Sequence, residues 1–349
     1  MQSTESTREL APFANCPALD GYHCWSNSLA KIYFHYGLPL AEEMLFGLGE
    51  GLNFMYWEQK GAPPFIGGRG NMKTFVQDIG RRTGVGVNEL STSSARKAQE
   101  SLLLQMAKEE PLMVRVDMGF LPYFDFGEDY HFGSHTIVIC GYDGQEQVLV
   151  SDMDPNAAGL KAGLYAPMTL KEIGRARGST FKPFPPKNTY FAFDFSGGRA
   201  PGEEEILAAI HKNSEAMLNP PISNFGVKGI RRTAKEIVRW PDRFDDAELR
   251  MNLFMIYIMF EIGGTGGGIF RPMYGRFLEE AAAVTGSSAL AQTAVLLQES
   301  GARFSEVALL FKDVLEGGEI GERIDQAAKL LNKNADLEEE AFSMLLAAV

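Results

Sequence analysis

Residues 135–152, HTIVICGYDGQEQVLVSD, constrain the fold more than any other stretch of the chain. Two apolar runs, Thr136 to Gly141 and Gln147 to Ser151, flank Asp143-Gly144, a residue pair suited to the tight turn of a β-hairpin. Strand-like runs at Leu112 to Val116 and Thr189 to Phe195 offer further partners. Helical patterns come earlier. From Cys24 to Tyr36 the residues Trp25, Leu29, Ile32, Tyr33 and Tyr36 recur at helical spacing, and Gly37 with Pro39 ends the run. Further helices are expected over Met72 to Arg82 and Ala95 to Lys108. Helices followed by an antiparallel sheet give an α+β order.

From Pro201 onward the chain reads almost wholly as helix, and the stretch Ser196 to Gly202, SGGRAPG, is the break between two compositions. Two domains are therefore expected, 1–198 mixed and 199–349 all-α, which suits a chain of 349 residues. In the second, Asp245 and Glu248 suit a capping box for a helix to about Ile262. The segment GGTGGG at 263–268 breaks that helix. A new one begins near Phe270, with amphipathic pieces at 289–299, 304–315 and 322–332.

Composition narrows the function classes. A net charge of −12 argues against a general nucleic-acid binder, which must neutralise phosphates. Three cysteines, Cys16, Cys24 and Cys140, cannot build a disulfide framework in so long a chain and suggest a reducing compartment, the cytoplasm. The N-terminal residues lack the apolar core of a signal peptide, and the longest apolar run, Leu253 to Phe260, is eight residues. No membrane association, metal or cofactor is expected.

Cys24 begins its helix directly after His23 and a glycine-containing loop, where backbone N–H groups and the helix dipole favour a thiolate. His135 starts a strand, and Asp152 ends the next one. The three types fit nucleophile, base and orienter. Asp154 would share a face with Asp152 in an extended segment and stands as the alternative orienter. The bland readings are a small core residue for Cys24 and a strand-edge cap for His135. Asp125, Glu128, Asp129, His131 and His135 could be read as metal ligands, but Gly127, Gly133 and the crowded aromatics argue for a loop. That loop carries six aromatics between Phe120 and Phe132, which either pack on one another or face a substrate.

The run HCWSNSLAKIYFHYGLPLAEEMLFGLGEGLNF resembles the N-terminal signature of the butirosin biosynthesis protein H family, as do Leu121-Pro-Tyr123, His135 with Gly141-Tyr-Asp143, and the strand ending in Asp152. GTGGGIFRPMYGRFLEEAA resembles the signature of the helical domain that accompanies it. The resemblance implies a papain-like domain, of the fold shared with bacteriocin-processing peptidases, followed by a helical domain. It also implies acyl transfer from a carrier-protein thioester to an amine of a small molecule. Carried over by residue, it makes Cys24 the nucleophile, His135 the base and Asp152 the orienter. Two departures stand out. The oxyanion-donating glutamine of papain-like enzymes is absent before Cys24, where Ala18 stands, so the hole would use the N–H of Cys24 plus another donor, Asn15 or Asn27. Where the helical signature leads one to expect tryptophan, the chain has Phe304.

Three readings follow: a cysteine acyltransferase, a cysteine peptidase or amidase, and a binding module that merely keeps the fold. Expected substrate contacts are Asn27, Tyr123, Arg271 (at the helix start after GGTGGG, where a carboxylate or phosphate could dock) and Tyr274. Expected partners are an acyl carrier protein or other acyl-thioester donor and a small-molecule amine. The basic run Arg231 to Arg243 is either a solvated face or a docking face for an acidic carrier. A homo-oligomer is left open.

Overall fold

Along Thr136–Cys140 successive side chains point to opposite faces of a strand, yet all are buried. Such a strand needs cover on both sides. The computed structural model, which describes residues 9–59, 62–71, 73–124, 130–154 and 159–349, provides it. In chain order the elements are α1 (Cys24–His35), α2 (Glu42–Leu48), β1 (Leu52–Trp57), β2 (Phe65–Arg69), α3 (Phe75–Thr83), β3 (Gly86–Leu90) and α4 (Ala95–Met106). Next come β4 (Leu112–Val116), β5 (His135–Tyr142), β6 (Gln147–Met153), β7 (Gly163–Thr169), α5 (Leu170–Arg177) and β8 (Tyr190–Asp194). Six helices complete the chain: α6 (Glu203–Leu218), α7 (Gly226–Ile237), α8 (Asp246–Tyr257), α9 (Arg271–Thr285), α10 (Ser288–Leu309) and α11 (Gly321–Ala348). The protein is α+β.

Two compact units result, one of Met1–Glu42 with Thr83–Ala200, the other of Glu43–Arg82 with Pro201–Val349. The sequence placed all of 1–198 in one domain, whereas the segment Glu43–Arg82 packs with the helical unit.

The first unit holds a six-stranded sheet in the order β3-β8-β4-β5-β6-β7, with antiparallel neighbours throughout. On one face Leu102 and Met106 of α4 and Ile173 and Ala176 of α5 cover Val114, Ile137, Ile139, Val148 and Val150. On the other lies α1: the Ser28 hydroxyl donates to the Thr136 carbonyl (3.2 Å), and the Trp25 ring meets the edge of Phe191 at 5.7 Å. Leu29 and Ile32 of α1 are fully buried, each contributing about 1.5–3 kcal/mol by removal from water. Gly37, at φ +77°, takes the left-handed conformation that stops the helix. In the β5–β6 turn the Asp143 carboxylate accepts the N–H groups of Gln145 and Gln147 at 2.8 and 3.0 Å, as the turn chemistry predicts.

The chain just before α1 runs along β7, the last strand of the sheet order. Tyr165 donates to the Cys16 carbonyl (2.7 Å), Gly163 N–H to the Asp20 carboxylate (2.9 Å), and Gly21 and Lys161 exchange backbone hydrogen bonds of 2.9 and 2.8 Å. A Cβ at Gly163 would collide with the Ala18 carbonyl, so only glycine permits this approach. The edge strand is thereby covered, and the loop leading into Cys24 is fastened.

Residues 203–348 form helices without strands, and the segment Glu43–Arg82 adds a hairpin to the second unit, β1 paired antiparallel to β2. Leu52, Phe54 and Tyr56 alternate inward, a period of two that a short segment between helices hides well. Helix α8 starts at the expected cap, Asp245 accepting from Glu248 N–H at 2.9 Å, and continues as a π-helical turn, Ile258–Ile262. The piece expected at 289–299 and the first part of that expected at 304–315 join into α10, which ends at Leu309. Gly301 between them is no break: a Cβ there would lie 2.7 Å from the Pro272 ring of α9, so it serves helix contact. Among the described residues no helix is long and apolar enough to cross a membrane.

Candidate active site

Strand β5 delivers His135 at its first residue and β6 delivers Asp152 near its end. The register Val138 opposite Ser151 makes the two diagonal neighbours. His135 Nε2 and Asp152 Oδ2 lie 2.8 Å apart, and since a carboxylate only accepts, Nε2 carries the proton. The other ring nitrogen, Nδ1, is left for Cys24, whose side chain hydrogen-bonds the ring. Cys24 is partly exposed, while His135 and Asp152 are 6% and 2% exposed. Burial pulls the imidazolium down. The charges of Asp152 and Cys24 and the hydrogen bonds to both outweigh it and push His135 up to about 10. Burial pushes Asp152 up, but the His135 charge and hydrogen bond, with Lys31 and Tyr123, hold it below the usual carboxylate range. This arrangement favours an imidazolium beside a thiolate.

The sequence expected Asp152 ahead of Asp154, and it is Asp152 whose carboxylate bonds the ring. Tyr123 donates to the same oxygen at 2.9 Å, and Phe124 sets its edge against the His135 ring at 5.6 Å. Tyr123, expected at the substrate, therefore braces the Asp152 carboxylate. Of the aromatic loop, Asp125, Glu128 and Asp129 lie outside the described residues. His131 pairs with Asp117 at 3.0 Å and stacks on Phe181, and among the described residues no cluster of three or more His, Cys, Asp or Glu could hold a metal.

Sequence reasoning missed two charged groups. Lys31, on α1, is fully buried and donates to the Asp152 carbonyl at 3.1 Å. Burial lowers it, against the pull of Asp152, Cys140, Cys16 and Glu42. Glu42 accepts Tyr22 N–H (2.9 Å), His23 N–H (2.8 Å) and the Ser26 hydroxyl (2.9 Å), a carboxylate held at a helix N-terminus. The one available signal was α1 itself, where Ser26, Asn27, Ser28 and Lys31 sit on a helix buried nearly all round.

Asn27 was expected as a substrate or oxyanion contact. Its amide instead donates to the carbonyls of Leu19 (3.2 Å) and Asp20 (3.0 Å), tying down the loop before Cys24. Asn15 is an exposed turn residue at φ 57°. Arg271, in the second unit, is wholly buried. It pairs with Glu338 at 2.7 and 2.9 Å, donates to the carbonyls of Asn53 and Ile269, and lies over the rings of Phe304 and Phe54. Its observed contacts are internal, and Tyr274 is likewise fully buried, with burial raising its hydroxyl far above the phenol range. At GGTGGG the Glu261 carboxylate takes the N–H of Gly268 (3.0 Å), in the place suggested for an outside anion. In the basic run Arg231 pairs with Asp336 and Glu339, and Arg243 with Glu58 and Glu236, all within the unit.

The chain matches two known families. Residues 171–345 match a domain of unknown function (DUF4872), and residues 23–153 match the N-terminal domain of butirosin biosynthesis protein H. No curated protein matches the sequence. The second match encloses Cys24, His135 and Asp152, and its position agrees with the motifs read from the sequence. The chain belongs to the butirosin biosynthesis protein H family.

Proposed function

We propose that the chain is a cysteine-dependent acyltransferase whose first unit is papain-like. The observation that carries the reading is the His135 ring, bonded on one side to Asp152 at 2.8 Å and on the other to the side chain of Cys24 at the start of α1. The Cys24 thiolate adds to the carbonyl carbon of an acyl thioester, the π electrons moving to oxygen. Collapse expels the donor thiolate, which takes the proton of the His135 imidazolium. The neutral ring then accepts a proton from an amine as the amine attacks the acyl-cysteine, and the Cys24 thiolate leaves. The resting ion pair is restored and one amide has been made. Asp152, braced by Tyr123, keeps the ring in the tautomer that both steps need.

A thiolate exchanging with a thioester replaces one thioester by another at little free-energy change, and the amide product supplies the drive. The donor in this reading is an acyl carrier protein or a related pantetheine thioester, the acceptor a small amine, and the setting a reducing cytoplasm. Incubation with acyl-pantetheine thioesters, with and without polyamines or amino sugars, is read by mass spectrometry. An acyl adduct on Cys24 that amines discharge faster than water supports the proposal. Peptide hydrolysis without thioester reactivity would replace it with the peptidase reading.

A further inference from the structure

An acyl thioester attacked by Cys24 develops a full negative charge on its carbonyl oxygen, and that charge needs fixed donors. Of the side chains first suggested for the task, Asn15 is an exposed turn residue and Asn27 is committed elsewhere. Both bonds of the Asn27 amide go to the loop carbonyls of Leu19 and Asp20, and Ala18 has nothing to donate. The backbone N–H groups of Tyr22 and His23 are taken by the Glu42 carboxylate. The Cys24 amide precedes the first intrahelical bond, from Asn27 N–H to the His23 carbonyl, and so belongs to the turn whose amides lack helical acceptors. One such donor is half of an oxyanion hole.

Lys161 lies beside the loop that leads into Cys24. It forms a two-bond antiparallel pair with Gly21, three residues before Cys24, and this pairing extends the contacts that Gly163 and Tyr165 make with Asp20 and Cys16. Gly21 is closely packed: a Cβ there would overlap the Asn27 amide and lie 2.6 Å from the Glu42 carboxylate. The lysine is half-buried, and among the described residues its ammonium has neither a hydrogen-bond nor an ion-pair partner. Of the anionic groups around it Cys24 acts most strongly, ahead of Asp152 and Asp154.

We propose that the Lys161 ammonium is a further catalytic residue, which, with the Cys24 N–H, holds the oxyanion formed on the acyl group. The proposal rests on the assignment of Cys24 as nucleophile. Lys161 keeps its proton throughout; the developing charge strengthens its hydrogen bond as the π bond opens and releases it as the thiolate leaves. A cation here interacts with this new charge more strongly than with the neutral ground-state carbonyl, which is the condition for lowering the barrier.

Two reagents separate an oxyanion role from a thiolate role. p-Nitrophenyl acetate acylates Cys24 through a tetrahedral oxyanion, whereas iodoacetamide alkylates the same sulfur with no oxyanion. In Lys161→Met the acylation rate at pH 7 is expected to fall about 10²-fold, with alkylation changed less than about threefold, and Lys161→Arg should recover most of the acylation. Lys161→Ala carries the same expectation if the methionine variant does not fold, as read by circular dichroism. Acylation within about threefold of the parent would overturn the proposal. So would an equal fall in both rates, which would make Lys161 a stabiliser of the thiolate only. Because the ester is not a thioester, these outcomes are independent of the natural donor. Acylation that survives in Cys24→Ala would overturn the nucleophile assignment as well.

Discussion

Replacing Asp152 by asparagine removes one charge and leaves the shape almost unchanged. Both the His135 ring and the Tyr123 hydroxyl reach Oδ2, at 2.8 and 2.9 Å, so an asparagine oxygen placed there can still accept both. The tautomer is therefore kept, and the loss is electrostatic. Unit charges about 4 Å apart interact by about 4 kcal/mol at an effective dielectric constant of about 20, which corresponds to about three pKa units. His135, held up to about 10 in the parent, then falls well below that, because burial continues to pull it down. With the imidazolium destabilised, Cys24 moves back toward a free thiol, whose pKa of about 8.5 leaves only a few per cent thiolate at pH 7. The iodoacetamide rate at pH 7 should drop about 30-fold in Asp152→Asn and recover as the pH is raised toward 9.5. Acyl transfer should fall further, since the donor thiolate also needs the ring's proton. Asp154→Asn should leave both rates within about twofold. An Asp152→Asn enzyme that alkylates at the parental rate at pH 7 would refute the reasoning, because the carboxylate would then not govern the ring.

Other expectations can be checked alongside. Iodoacetamide should label Cys24 first in the folded protein, since Cys16 and Cys140 are buried, and peptide mapping after brief labelling reads this directly. Tyr123→Phe removes a charge-assisted hydrogen bond to Asp152, so kcat/KM should fall about 10- to 100-fold and urea unfolding should show a loss of about 1.5–3 kcal/mol. Arg271→Met strands the Glu338 carboxylate in the second unit and should cost about 3–5 kcal/mol in urea unfolding. The folded fraction should keep its Cys24 alkylation rate.

Much of the first unit was legible because its signals are local. The Asp143-Gly144 turn, the run 112–116 and the capped start of α1 each depend on neighbours within a few residues, and β4, β5 and β6 lie where the pattern put them. The hairpin also brought His135 and Asp152 close, since two adjacent strands leave few other places for them. What stayed hidden depends on distant contacts. Glu42 caps α1 from beyond the helix's other end, and Lys31 is polar within an otherwise apolar pattern, its carbonyl partner 121 positions away. The continuity of α10 through Gly301 was hidden because sequence cannot show that Pro272 packs against it. Arg271 looked available beside a glycine-rich turn, but Glu338, 67 residues on, occupies it.

The charges around Cys24 explain why a thiolate can rest there. Asp152 and Glu42 supply two anions and Lys31 and Lys161 two cations, so the added pair of thiolate and imidazolium leaves the cluster balanced. Their contributions to stability run in different directions with pH. His135 is raised, so its stabilisation is complete below the unfolded value of about 6.5 and is lost as pH rises through about 10. Asp152 is lowered, so its share is complete above the unfolded carboxylate value and is lost only as pH falls through the lower folded one. Lys31 is a base lowered by burial, so its protonated form is a standing cost in acid and at neutrality that relaxes as pH rises. His135 and Asp152 therefore reinforce one another across the neutral range, while Lys31 opposes them there. A buried lysine carrying that cost, with its Nζ on the Asp152 carbonyl, fixes the end of β6 against α1. The stability it forgoes holds the carboxylate where the His135 ring needs it.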